Sequence, residues 1–226
     1  MVYGMYPEII LEGENRESYL KELAKSYSYE DVLAYQNIKN HDALIKLLQA
    51  LALQVGSEVS YNKLSALIGI DKKTVENYIN ILEKAFIIFR LMPFYTNKRN
   101  ELKKLRKIYF YDTGIRNALI SNLNPLNLRQ DIRALWENYI IGERIKYLKN
   151  YGIDRQSYFW RTLSKQEVDY IEEKAGNINA FEIKWKKDGL RVPKPFIEAY
   201  PKAEFFLINA KNYAGFVGLK RAAGQN

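Results

Sequence analysis

Apolar residues in this chain keep two different periods, and the change from one to the other decides which class of fold is open to it. In "HDALIKLLQALALQV", Leu44, Leu47, Leu48, Leu51 and Val55 recur three and four apart, the spacing of one helix face, and the run stops at Gly56. The earlier stretch "ENRESYLKELAKSYSYEDVLAY" repeats Tyr19, Leu20, Leu23 and Tyr27 in the same way. Later, "SYFWRT", "QEVDYIEE" and "NINAFEIKW" alternate instead, as strands do. Helices first and strands afterwards predict an α/β chain (α+β overall) built on a mixed sheet.

Between these regions lies "EVSYNKLSALIGIDKKTVENYINILEKAFIIFRLMPF". Ser60 can cap a short helix running through Ile68, Gly69 can supply a tight turn, and Asp71 can cap a second helix over residues 72–84. Two helices joined this closely form a helix-turn-helix. Val75, Tyr78, Ile79 and Leu82 make the inward stripe of the second helix, leaving Lys72, Lys73, Thr74 and Asn77 outward. The run "FIIFRLMPF", the basic stretch "TNKRNELKKLRK" and the run "IYFYD" follow. That order resembles a winged helix with its wing over residues 95–107. Recognition helices present N-terminal polar side chains to base edges, and basic wings meet phosphates. Lys72, Lys73, Thr74 and Asn77 suit the first role; Lys98, Arg99, Lys103, Lys104 and Arg106 suit the second. Winged helices also serve as protein-docking modules, which leaves a protein partner open.

Charge points the same way. Lys and Arg outnumber Asp and Glu by 35 to 26, for a net charge of +9, which favours polyanionic partners such as DNA. With no cysteine and His41 as the one histidine, disulfides, thiolate sites and multi-histidine zinc sites are excluded, so any metal must bind to oxygen. No apolar run approaches the ~20 residues of a membrane span and no signal-peptide pattern opens the chain, so the expected location is cytoplasmic.

The acids of the strand region are the candidates for chemistry. Along "FEIKW", Phe181, Ile183 and Trp185 share one face and Glu182 and Lys184 the other. A four-residue loop over 174–177 would pair Glu173 with Ile178, and counting back along an antiparallel hairpin sets Asp169 against Glu182. Facing carboxylates disfavour a sheet by up to about 1 kcal/mol unless a cation or proton is shared. Two such acids suit Mg²⁺ (or Mn²⁺), and Lys184 can touch a water or phosphate beside them. The alternative is a solvated face on which Lys184 pairs with the acids.

A helix carrying a glutamate, a hairpin carrying Asp and then Glu-x-Lys, and a further helix and strand resemble the PD-(D/E)XK, or restriction-endonuclease-like, fold. Over nearly its whole length the chain is similar to the C-terminal region of prokaryotic AAA-type P-loop ATPases, a winged helix followed by a nuclease-like domain of unknown function. The segments that carry this are "YGMYPEII", "IYFYDTGIRNAL", "LWENYIIGERI", "FWRTLSKQEVDYI" and "FEIKW". The resemblance implies a winged-helix domain over 1–112 and a nuclease-like domain over 113–226. It also implies Glu137, Asp169, Glu182 and Lys184 as the catalytic set, with Asp169 and Glu182 on the metal. The expected helix over 131–150 has its apolar stripe at Ile132, Trp136, Tyr139, Ile140 and Tyr147, which contains Glu143, so Glu143 is the second candidate for the helix acid. No G-x-x-x-x-G-K-[ST] occurs, so no ATP site is expected, and the opening residues favour a truncated relative. The expected function is nucleic-acid binding with Mg-dependent phosphodiester hydrolysis. The alternatives are a non-catalytic adaptor for a DNA, protein or ATPase partner, and DNA binding by the winged helix with the second domain as a dimerisation platform.

Overall fold

Several helix starts in the N-terminal half fall where a short polar side chain accepts an unmatched backbone amide, or where a proline has none. The computed structural model describes residues 1–13, 15–27, 38, 40–94, 106–186 and 189–219. Helix α1 (Pro7–Leu11) opens with proline, which has no amide to satisfy, and α2 (Arg16–Tyr27) follows. Asn40 accepts the Ala43 amide at 3.0 Å and starts α3 (His41–Leu53), whose Leu44, Leu47, Leu48 and Leu51 are fully buried, as the stripe predicts. Ser60 caps α4 (Tyr61–Ile68), and Gly69, at φ 79°, ends it in the left-handed conformation that glycine adopts without strain. Asp71 accepts the Thr74 amide at 2.9 Å and starts α5 (Lys72–Lys84). Val75, Tyr78, Ile79 and Leu82 face inward from α5 as expected, joined by Ile81.

Strands β1 (Ile88–Pro93) and β2 (Lys107–Phe110) come next, β2 buried at every position. Asp112 then starts α6 (Thr113–Leu119) by accepting the Ile115 amide at 2.9 Å, and its other oxygen accepts the Met5 amide at 2.7 Å. The first residues are thereby strapped along α6. A Cβ on Gly114 would lie 2.3 Å from the Tyr3 carbonyl oxygen, so the close approach requires glycine. Ile115 of α6 shares a core with Ile9, Leu20 and Ala24.

A buried polar cluster lies under α6. Arg116 donates to the Ala52 carbonyl at 2.7 Å and pairs with Asp131, and Arg129 reaches the same carboxylate at 2.9 Å. Burial would raise the Asp131 carboxyl, but the hydrogen bonds from Arg129 and Arg116 outweigh it and hold the group below the usual aspartate range. A depressed folded pKa contributes stability that is complete above the ordinary value of about 3.9 and is lost as pH falls through the lower folded value. Urea midpoints measured across the acid range should therefore fall more steeply for the wild type than for Asp131→Asn, which starts less stable at neutral pH.

The long helix α7 (Ile132–Asn150) occupies the span the sequence predicts, preceded by a 3-10 turn at Leu126–Leu128. Then come β3 (Gln156–Arg161), β4 (Glu167–Lys174), β5 (Asn177–Ile183), α8 (Lys194–Ala199), β6 (Glu204–Ile208) and α9 (Tyr213–Phe216). The strands are ordered β2-β1-β3-β4-β5-β6. β3, β4 and β5 are antiparallel, while β1 on β3 and β6 on β5 are parallel, so the sheet is mixed and the class is α/β. Trp160, Val168, Ile171 and Ala180 of the sheet share a core with Phe196 and Tyr200, the helix α8 and the residue after it.

Two compact units result: Met1–Arg90 with Lys104–Asn138, and Leu91–Lys103 with Tyr139–Asn226. The division expected at residue 112 is displaced because α6 packs with α1 and α2 and so stays in the first unit. The β4–β5 loop is also tighter than the expected four residues. Lys174 pairs with Asn177, leaving Ala175 (φ 50°) and Gly176 (φ 82°) as a two-residue turn whose twist matches the flanking strands. Shortening by an even number leaves the register as expected, with Glu173 opposite Ile178. No helix among the described residues is long and apolar enough to cross a membrane.

Candidate functional site

The hairpin register determines where the acids meet. Ile171 opposes Ala180, and one further residue pair along the same face brings Asp169 to Glu182. That face is dry where Ile171 and Ala180 lie in the core with Phe196, and turns polar toward the end of β5. Asp169 is 8% exposed, and one of its oxygens accepts the Ile183 amide at 2.8 Å. This charge-assisted bond fixes the carboxylate at the strand end. Lys184 follows β5 directly, its own amide bonded to the Ile208 carbonyl at 2.9 Å. Its ammonium lies 2.5 Å from Glu182 Oε1 and 3.8 Å from Asp169 Oδ2. Asp169, Glu182 and Lys184 thus converge within the second unit.

A further acid belongs to this group. Glu167 lies two residues before Asp169 on β4, and a carboxylate oxygen of each lies within 4.8 Å of the other. Arg161 reaches Glu167 at 3.4 Å. The signal for Glu167 was present in "EVDY", since residues two apart on a strand share a face. It is masked by the E-x-K motif, which draws attention to the second strand of the hairpin.

Each of the two helix glutamates has hydrogen-bond partners of its own. In the first unit, Glu137 accepts hydrogen bonds from Lys107 Nζ at 3.1 Å and the Tyr109 hydroxyl at 2.6 Å. In the second, Glu143 accepts from Lys146 at 2.5 Å. Near Glu143, burial chiefly, and the carboxylate charge next, push the Tyr139 phenol up to about 12.

Oxygen is the donor chemistry here: Glu167 and Asp169 each bring a carboxylate oxygen within 4.8 Å of the other, a spacing open to a hard divalent cation such as Mg²⁺ or Mn²⁺, while Glu182 is held by Lys184. The basic stretch after Lys184 contributes Lys186, Arg191 and Lys194, all exposed; Lys187 lies outside the described residues.

In the first unit, Lys72, Lys73 and Asn77 are exposed on the outer face of α5. Thr74 is half-buried and its hydroxyl bonds to Asp71, so it has a capping task in addition to any ligand contact. The expected wing residues Lys98, Arg99, Lys103 and Lys104 lie outside the described residues; Arg106, at the edge of β2, sits with its guanidinium 4.0 Å from the Tyr61 ring centroid.

Comparison with known proteins gives relatives without an assigned activity. An uncharacterised protein of Mycobacterium tuberculosis is 27% identical over 136 residues, 59% of this chain and 30% of the relative. One of Haemophilus influenzae is 25% identical over 182 residues, covering 78% of this chain and 42% of the relative. One of Methanocaldococcus jannaschii is 31% identical over 113 residues, 48% of this chain and 24% of the relative. The chain thus spans less than half the length of each of these relatives. No solved structure matches it. Residues 133–215 match a second domain of unknown function, DUF4143. Residues 1–131, more than half of the chain, match the domain of unknown function DUF8612, and the protein belongs to that family.

Proposed function

We propose that the second unit hydrolyses phosphodiester bonds with Mg²⁺ or Mn²⁺, and that α5 of the first unit and the basic segment after β1 bind nucleic acid. In this reading the first unit is a winged helix and the second a restriction-endonuclease-like domain, together forming the C-terminal module of an AAA-type ATPase.

The observation that carries the reading is one ammonium in contact distance of two strand carboxylates, Lys184 with Glu182 and Asp169. Asp169 and Glu182 would hold the cation, with Glu167 beside them. A bound divalent cation supplies Lewis acidity and lowers the pKa of a coordinated water. Lys184 places a positive charge where a phosphate oxygen becomes more negative during attack, which stabilises the transition state more than the ground state. The Ile183 amide holds Asp169 in place, so little reorganisation is needed.

A non-catalytic adaptor is the second reading. It is favoured by the 2.5 Å Lys184–Glu182 pair, which already neutralises one acid. The two separate on supercoiled plasmid: a nuclease nicks it with Mg²⁺ or Mn²⁺ and stops with chelator. Tight, salt-sensitive binding with no cleavage of any DNA form rejects hydrolysis and leaves the adaptor.

A further inference from the structure

We infer that the first unit carries a second, separate site, which binds a phosphate ester and has room for one nucleotide. A cavity of about 440 Å³ opens beside the first turn of α4, within the size range of small-ligand sites. Its charged lining is unbalanced: Lys63, Lys72 and Arg106 face one carboxylate, Glu58. Three like charges around one hollow repel one another, and an anion between them relieves that repulsion.

Arg106 is held in place from two sides. Its carbonyl accepts the Val59 amide at 2.9 Å, and its guanidinium lies 4.0 Å from the centre of the Tyr61 ring. Lys63 and Lys72 form no ion pair among the described residues, and both are exposed. One cation is therefore fixed and two can close on a ligand, an arrangement suited to charge-assisted bonds with several phosphate oxygens. The remaining wall is mixed: Gln54, Ser60 and Asn62 are polar, Val59 and Leu64 are buried beneath it, and Leu67 is 72% exposed. A bare inorganic anion leaves the Leu67 side chain in water, whereas the organic part of an ester covers it. Lys72 thereby takes a role distinct from base reading.

Calorimetric titration of the full chain with pyrophosphate and with adenosine diphosphate tests this. Both should saturate at one site, the nucleotide more tightly. Lys63→Gln and Lys72→Gln lie outside the core and each should weaken both probes by about tenfold. Leu67→Ser should weaken the nucleotide and leave pyrophosphate unchanged. Asp169→Asn should change neither, which keeps this site independent of the metal reading. A labelled duplex identifies the source of the ester: displacement of the duplex by pyrophosphate, with loss in Lys63→Gln, assigns the bound phosphate to a nucleic-acid strand; nucleotide binding without displacement assigns it to a free nucleotide. No saturable heat with either small probe, or wild-type affinity in both lysine variants, overturns the inference.

Discussion

Asp169→Asn and Lys184→Ala are each expected to lower the metal-dependent nicking rate by about 10²–10⁴-fold, the range of a positioned group acting in the transition state. Asparagine at 169 keeps an oxygen to accept the Ile183 amide, so the strand end stays tied while the negative charge is lost. The loss then reports on charge, and thermal melting should move little. Higher Mn²⁺ should recover part of the Asp169→Asn rate, because a weakened site fills by mass action. It should not recover Lys184→Ala, where the missing group acts on substrate or water. Removing that ammonium also leaves Glu182 without its 2.5 Å partner, so metal affinity in Lys184→Ala should rise as activity falls. A rate retained within a few-fold in either variant would place hydrolysis elsewhere in the molecule or in a contaminant.

The legible part of this chain is what period and capping determine. Ser60, Gly69 and Asp71 fix α4 and α5 because each performs a local task that needs no knowledge of the remaining fold. The Asp169–Glu182 register was legible because a one-residue slip would bring Phe181 into the polar face, and a change of two residues in loop length does not disturb it. Other features depend on distant partners. Nothing near Arg116 in sequence marks it as buried; its environment comes from Ala52, Arg129 and Asp131. The place of α6 in the first unit depends on distant partners too, since Ile115 finds its core among Ile9 and Leu20, nearly the full length of the unit away in sequence. Glu172 is a charged residue in a strand, yet its side chain is fully buried against Arg144, a partner 28 residues away that no local pattern shows.

Arg144→Met is expected to destabilise the second unit by about 3–5 kcal/mol, because it removes the main partner of a buried carboxylate. Arg144 meets Glu172 at both oxygens, Nε to Oε1 at 2.6 Å and Nη2 to Oε2 at 3.0 Å. Burial works against the guanidinium, but the hydrogen bonds to Glu172 prevail and raise its pKa above the ordinary value. Arg155 remains 3.6 Å from the carboxylate, partly exposed and without the two-point geometry. The same guanidinium donates to the Phe216 carbonyl at 2.7 Å and lies 4.6 Å from that ring's centre, so its loss also loosens α9 from α7. Burial holds the neighbouring Tyr170 phenol well above its usual range, with the Glu172 charge adding to it, so at neutral pH it is a neutral hydroxyl bonded to Ser157 at 2.7 Å. It cannot supply the missing positive charge. The double variant Arg144→Met/Glu172→Met removes the charge along with its partner and should recover more than about 1 kcal/mol of the single variant's loss, since the two groups act as one unit. Urea unfolding of the wild type, both single variants and the double variant measures that coupling. If the losses simply add, the carboxylate is reaching water or Arg155 in the single variant, and the pair does not hold this part of the sheet together.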